Sequence, residues 1–304
     1  VSSSVIIWWV IMKFYDFETT TYGKWILVGE HAVVRGHAAL VFPVKERKLI
    51  FSYTADAPSL SADYLGSSGP DMHLLFWSVL EHGLKLLGHS LNQLSGHFLL
   101  NSTIPVGGGM GASAALCVAM SRWFCAQQML AQEECNAFAK ELEHLFHGKS
   151  SGLDVAGVAA EGGVYFKAGE ATPLRQTSQP LFFLSSCNQI GITSHCIQQV
   201  QHLWANEPQL AKQLDLQMAE SVEEAKVALE QGGAEITTNL TKAINKAADC
   251  FMQWGLVSES LQQHMNWLTS VGALAVKPTG SGGGGFVLSL WDKQPPEHLE
   301  LLAV

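Results

Sequence analysis

Residues 105–116 read Pro105-Val-Gly-Gly-Gly-Met-Gly-Ala-Ser-Ala-Ala-Leu116. Four glycines fall within five positions, and the run passes directly into a small-residue helical pattern from Ala112 to Ala119. A loop without Cβ atoms lets backbone N–H groups approach a ligand closely. The helix behind it adds unsatisfied N–H donors and the positive end of its dipole. Together these features make an anion site, with phosphate as the natural occupant. The competing reading is a flexible turn between a strand and a core helix.

The 304 residues around this loop suffice for a full core in one large or two modest domains. Hydrophobic residues make up 47% and charged residues 15%, a balance that excludes extensive disorder. The formal net charge is −9 with no dense Lys/Arg run, so nucleic acid is not an expected partner. The six cysteines, at 117, 125, 135, 187, 196 and 250, form no CxxC pair. Neither a zinc module nor a disulfide framework is indicated, which suits a reducing cytoplasm. Among 12 histidines, His144 and His147 stand at helical i, i+3 spacing, which suits a metal but equally an ordinary helix surface. Residues 1–11, VSSSVIIWWVI, precede Met12. Their apolar part is far shorter than the roughly 20 residues of a membrane span. They also lack the basic start of a secretory signal. Residues 1–12 are therefore expected to be a non-native or disordered leader, and no membrane segment is expected elsewhere.

Lys13–Thr20, Lys24–Val28, Ala38–Phe42 and Lys48–Tyr53 read as strands. Residues 55–70 read as a loop, and Asp71–Leu87 as a helix stopped by Gly88. A strand at Gly96–Leu100 leads into the glycine loop. Helices are predicted over Gly111–Met129, Gln132–His147 and Leu153–Ala160, then a strand at Gly163–Lys167. Residues 169–180 mark a domain boundary, placing 13–175 in an N-terminal domain and 176–304 in a C-terminal one. Beyond it come a strand at Leu181–Ser185, four helical stretches between Ser194 and Val271, and strands at Val271–Lys277 and Gly285–Leu290. Runs of strands followed by runs of helices predict an α+β fold.

Other nucleotide signatures fail. Gly148-Lys149-Ser150 has the ending of a Walker loop, but Glu143 stands where its first glycine belongs. Gly280, Gly282 and Gly285 fit GxGxxG, yet a strand-like FVLSL follows rather than a helix. The paired kinase elements HRD and DFG are absent. A different set matches. Tyr22-Gly-Lys-Trp-Ile-Leu-Val-Gly-Glu-His-Ala-Val-Val-Arg-Gly36 resembles the first motif of the GHMP small-molecule kinases, and residues 105–116 resemble the second. Lys277-Pro-Thr-Gly-Ser-Gly-Gly-Gly-Gly-Phe286 resembles the third. His147-Gly-Lys-Ser-Ser-Gly-Leu-Asp154 looks like the segment that carries the catalytic aspartate in mevalonate kinases. The run Gly29-Glu30-His31-Ala32-Val33-Val34, followed by Gly36, points to that branch of the superfamily.

The resemblance implies a two-domain fold, its N-terminal half like a ribosomal-protein β-α domain and its C-terminal half ferredoxin-like. It implies phosphorylation of the primary hydroxyl of mevalonate by ATP with Mg²⁺. Gly107, Gly108, Gly109, Met110, Gly111, Ala112 and Ser113 would hold the phosphates, with Ser102, Gly282 and Gly283 also at the nucleotide. Ser113 and Glu143 match the Mg²⁺ ligands; a plain N-cap competes for Ser113, and Glu141 is the rival carboxylate. Asp154 is the implied general base, with an N-cap as its alternative, and Lys24 would sit beside it. Lys24, Glu30, His31, Asp154 and Thr279 would meet the substrate, though Lys24 could be a strand-edge charge and His31 a structural histidine. Lys24, Arg35 and His31 are the candidates to hold the substrate carboxylate. A homodimer is a further family expectation.

Departures from the pattern are clear. Thr21-Tyr22-Gly23-Lys24 lacks the family's proline, Ala112 replaces a serine, and Pro278 stands where an aliphatic residue is usual. None removes an ionisable catalytic group. Phosphomevalonate kinase or another GHMP kinase is the alternative enzyme, and a nucleotide-binding regulatory module the non-enzyme alternative.

Overall fold

The computed structural model describes residues 15–147 and 150–304, His147 by its backbone alone. The expected leader at 1–12, the Gly148-Lys149 pair and the His147 side chain lie outside the described residues.

Two long antiparallel strands, β1 (Phe17–Val28) and β2 (Ala38–Thr54), form the spine of the first sheet. Four short strands were expected over this stretch. Gly23 and the charged run Lys45–Lys48 read as breaks, but they form a bulge. Tyr22 pairs with Lys48 and Gly23 with Val44, so the extra residues of β2 are accommodated while the pairing continues. β3 (Ser61–Leu65) lies parallel to β4 (His97–Ser102) at one edge, inside the stretch expected to be loop. Its polar, half-exposed residues give no alternating burial signal. β4 pairs with the second half of β2, and β5 (Val164–Lys167) with its first half. β6 (Glu170–Pro173) then closes a hairpin onto β5. That hairpin occupies part of the expected boundary region, unrecognised because all four of its residues are exposed.

Helices cover one face of this sheet: α1 (Gly69–Leu86), α2 (Ala112–Ala126), α3 (Cys135–His147) and α4 (Leu153–Ala159). α2 is the central one. Its run Ala114–Met120 is wholly buried, and its small residues let neighbouring elements approach closely. Phe51, Phe76, Phe98 and Trp123 interlock beneath it, with Phe98 and Trp123 edge to face at 4.9 Å.

β7 (Leu181–Ser186) starts an antiparallel sheet ordered β10-β7-β9-β8, completed by β8 (Ala275–Pro278), β9 (Phe286–Trp291) and β10 (Leu302–Ala303). The four expected helices between β7 and β8 are α5 (Thr193–Asn206), α6 (Pro208–Gln231), α7 (Ile236–Gln253) and α8 (Glu259–Ser270). The fold is α+β, as the sequence predicts, and its described strands form two sheets. One core cluster runs through both parts, holding Trp25 and Leu40 together with Phe182, Met218, Phe251 and Leu288. Among the described residues, no helix is long and apolar enough to cross a membrane.

Candidate active site

β1, the starts of α2 and α4, α3 and the glycine segment after β8 converge on one cavity of about 320 Å³. The loop before α2 forms one wall. Gly107, Gly109 and Gly111 have φ of 76°, 79° and 76°, alternating with Gly108 and Met110. Such alternation turns successive N–H groups toward a common side, making a concavity suited to anions. Lys24 N donates to Met110 O at 2.9 Å, which pins the loop to β1.

Gly111 is the residue that caps α2. A Cβ there would stand 2.9 Å from Lys24 Cγ and 3.1 Å from Val158 Cγ1. Gly111→Ala should lower the unfolding free energy by about 1–2 kcal/mol through its left-handed backbone alone. It should also displace Lys24. Urea titration measures the first effect, and the activity of the folded variant the second.

Because Gly111 caps α2 and Gly152 caps α4, neither Ser113 nor Asp154 is used as an N-cap. Both side chains line the cavity. Lys24 Nζ stands 2.9 Å from Asp154 Oδ1, the lysine almost fully buried and the aspartate 30% exposed. Lys24 is therefore no strand-edge charge. Its stem lies against Gly111 and Gly157, where added Cβ atoms would touch it, so its ammonium is held in place.

Glu143 reaches the same cavity from α3 and is 1% exposed. Burial pushes its carboxyl up to about 7, and the charge of Asp154 adds to the push. Ser150 Oγ donates to Glu143 Oε2, while Oε1 is buried without a hydrogen-bond partner among the described residues. The rival Glu141 is exposed and paired with His144, Nδ1 to Oε2 at 3.2 Å. Among the described residues no cluster of three or more His, Cys, Asp or Glu could hold a metal unaided. A hard cation that keeps its waters and takes phosphate oxygens needs fewer protein ligands. The buried, unpartnered oxygen of Glu143 and the hydroxyl of Ser113 on the same cavity fit such an ion.

Glu30 and His31 follow β1 and also line the cavity. Ala32 N donates to Glu30 O at 2.6 Å across His31, whose φ is 58° and ψ −45°. This tight turn is a strained conformation for a non-glycine residue. His31 Nε2 donates to Ser281 O at 2.9 Å, and the ring lies edge-on to Trp254. Burial lowers its pKa to about 4, so the imidazole is neutral near pH 7. Below about pH 6.5 the unfolded chain takes up a proton that folded His31 refuses. The stability from neutral His31 is complete above that pH and is lost as pH falls toward 4. His31→Asn, which tolerates positive φ, should flatten this part of the stability–pH curve in urea titrations.

Several expected contacts lie off the cavity wall. Thr279 Oγ1 accepts from Ile26 N and donates to Ile26 O, both at 2.9 Å, so its hydroxyl is spent tying the third motif to β1. Ser102 is fully buried, its Oγ accepting from Ile104 N in a local turn. Met110 is buried, and Gly108 faces the Phe286 ring. Gly282 and Gly283 turn toward Leu256 and Cys196, and the neighbouring Gly280 and Ser281 line the cavity instead. Arg35 is committed to Asp215, Nη2 to Oδ1 at 2.6 Å with Nε on Oδ2, and is not available for a substrate carboxylate. His31, neutral and donating to Ser281, offers a lone pair rather than a positive charge. Among the described lining residues Lys24 is the cation that remains.

Sequence reasoning missed Lys277, fully buried with Nζ 2.5 Å from Glu30 Oε1. It also missed Ser150, Gly191 and Thr193. Gly191-Ile-Thr-Ser194 carries the mark of a helix start and was the available signal for Thr193.

The GHMP kinases N-terminal domain family matches residues 75–163, the span that holds the glycine loop, Glu143 and Asp154. A mevalonate kinase of Pyrococcus horikoshii is 26% identical over 299 residues, covering 88% of this chain and 86% of its own. A structure of L. major mevalonate kinase in complex with R-mevalonate superposes with TM-score 0.76 at 22% identity over 94% of each chain. The Streptococcus pneumoniae phosphomevalonate kinase does so with TM-score 0.71 at 16% identity over 92% of each. This kinase is thus similar to the GHMP small-molecule kinases in two respects: the N-terminal domain match over residues 75–163, which holds its glycine loop, and a fold shared over nine-tenths of the chain.

Proposed function

We propose that this kinase transfers the γ-phosphoryl group of ATP to the primary hydroxyl of mevalonate, giving 5-phosphomevalonate and ADP. The observation that carries this reading is the Lys24–Asp154 pair, 2.9 Å apart in a cavity walled by the glycine loop. The names of the sequence relatives support the choice of acceptor.

Asp154 takes the hydroxyl proton as the oxygen attacks phosphorus, and the ammonium of Lys24 offsets charge on the transferring group. Backbone N–H groups of Gly107, Gly109, Gly111 and Ala112 cradle the phosphates at the start of α2. Ser113 and Glu143 Oε1 would hold Mg²⁺, which when bound neutralises charge on the β- and γ-phosphate oxygens. Glu30 and His31 shape the acceptor side, together with the apolar wall of Ile26, Val33 and Leu153. Residues 13–175 and 176–304 act as the two domains flanking the cleft. Six free cysteines support a reducing cytoplasm as the site of action.

ADP release with mevalonate, phosphomevalonate, galactose and homoserine as acceptors tests the assignment. Mevalonate should give the highest kcat/KM. A preference for any other acceptor overturns the choice.

A further inference from the structure

We infer that Ser150 is a positioning residue that turns Glu143 so that its free oxygen, Oε1, faces the cation position. The inference rests on Glu143 as a Mg²⁺ ligand. Glu143 is a carboxylate with 1% exposure, so each oxygen needs a partner from inside the protein or from a ligand. Ser150 Oγ accepts from Gly152 N at 3.1 Å and donates its proton to Glu143 Oε2. The amide of Gly152 therefore fixes which way the hydroxyl points. The last torsion of a glutamate is broad and roughly two-fold, so a carboxylate held at neither oxygen presents either one. The Ser150 contact removes that freedom.

The other oxygen, Oε1, is left buried without a donor among the described residues. Lys24, the lysine that lines the cavity, is engaged by Asp154 at 2.9 Å. The adjacent Ser151 does something different, its Oγ accepting from Leu153 N at 3.2 Å at the start of α4. One serine of the pair thus orients the helix start and the other orients the acid. A buried carboxyl oxygen left open on a cavity wall, its twin held by Ser150, is the arrangement that presents an acid side chain to a metal.

Mn²⁺ binding to the full chain saturated with AMPPNP, followed by electron paramagnetic resonance, tests this. Ser150→Ala should weaken Mn²⁺ binding about tenfold while AMPPNP affinity measured without metal stays unchanged. Ser150→Thr, which keeps the hydroxyl, should recover most of the loss. Wild-type Mn²⁺ affinity in Ser150→Ala, or no recovery in Ser150→Thr, overturns the inference. If the alanine variant does not fold, Ser150→Cys, similar in volume but a weak donor, should show the weakened binding, and wild-type affinity there overturns it equally. Glu143→Gln separates the two levels. If it binds Mn²⁺ as tightly as the wild type, the metal assignment itself falls. If it loses Mn²⁺ while Ser150→Ala does not, the role of Ser150 alone falls.

Discussion

Asp154→Asn should lower kcat by about 10²–10⁴-fold while leaving KM for ATP nearly unchanged. The amide keeps the size of the carboxyl and an oxygen for Lys24 Nζ, now 2.9 Å from Oδ1. What it removes is the ability to accept the hydroxyl proton and the negative charge that balances Lys24. The start of α4 should be little affected. Asp154 is 30% exposed in the first turn of α4, where a negative charge contributes only about 0.3–1 kcal/mol. Single-turnover measurements with excess enzyme isolate the chemical step from product release. Near-wild-type turnover would mean that the proton leaves by another route and that Asp154 only orients.

The parts of the site written locally were legible in the sequence. The glycine loop and α2 are consecutive, so their combination as an anion site needs no knowledge of tertiary structure. Asp154 and Ser113 follow glycines at helix starts, and such positions announce themselves through Gly, Ser and Asp before an apolar run. The alternative that these two were N-caps fell because glycines in the left-handed conformation, Gly111 and Gly152, occupy the cap positions. The resemblance selects Glu143 over Glu141, and the structure lines the cavity with Glu143 while Glu141 is exposed and paired with His144.

What stayed hidden was set by long-range pairing. Four strands were read where two exist because a bulge at Gly23 resembles a break when its partner, 21 residues on at Val44, is not in view. Exposed edge strands such as β6 bury nothing and so leave no periodic trace. In the third motif, position along the glycine run does not say which residues face a ligand. Gly283 N donates to Leu256 O at 2.7 Å, and that contact turns Gly282 and Gly283 away from the cavity. Arg35 looked free because its partner Asp215 lies 180 residues later in α6.

The deepest hidden feature also gives the largest expected stability effect. Lys277 stands in β8 between Val276 and Pro278, and all four residues of the strand are buried. Its ammonium meets Glu30 Oε1 at 2.5 Å, approaches Ile26 O at 3.4 Å and lies 5.2 Å from the centre of the Phe251 ring. Burial lowers the lysine's pKa and raises that of Glu30, and each group's charge opposes the other's neutralisation. The pair joins the end of β1 to the third motif, beside the two Thr279–Ile26 hydrogen bonds. Lys277→Met keeps the volume and removes the charge, leaving Glu30 buried with neither oxygen satisfied, since Oε2 has no hydrogen-bond partner among the described residues. Breaking a buried pair in this way costs about 3–5 kcal/mol. The melting temperature should fall by roughly 10 °C, measurable by calorimetry or circular dichroism. The double variant Lys277→Met/Glu30→Gln removes the stranded charge and should regain much of the loss, because a neutral isostere of a buried pair is often no less stable than the pair itself. If the double variant is as unstable as Lys277→Met alone, the lysine supports the fold by packing against Phe251 rather than by neutralising Glu30.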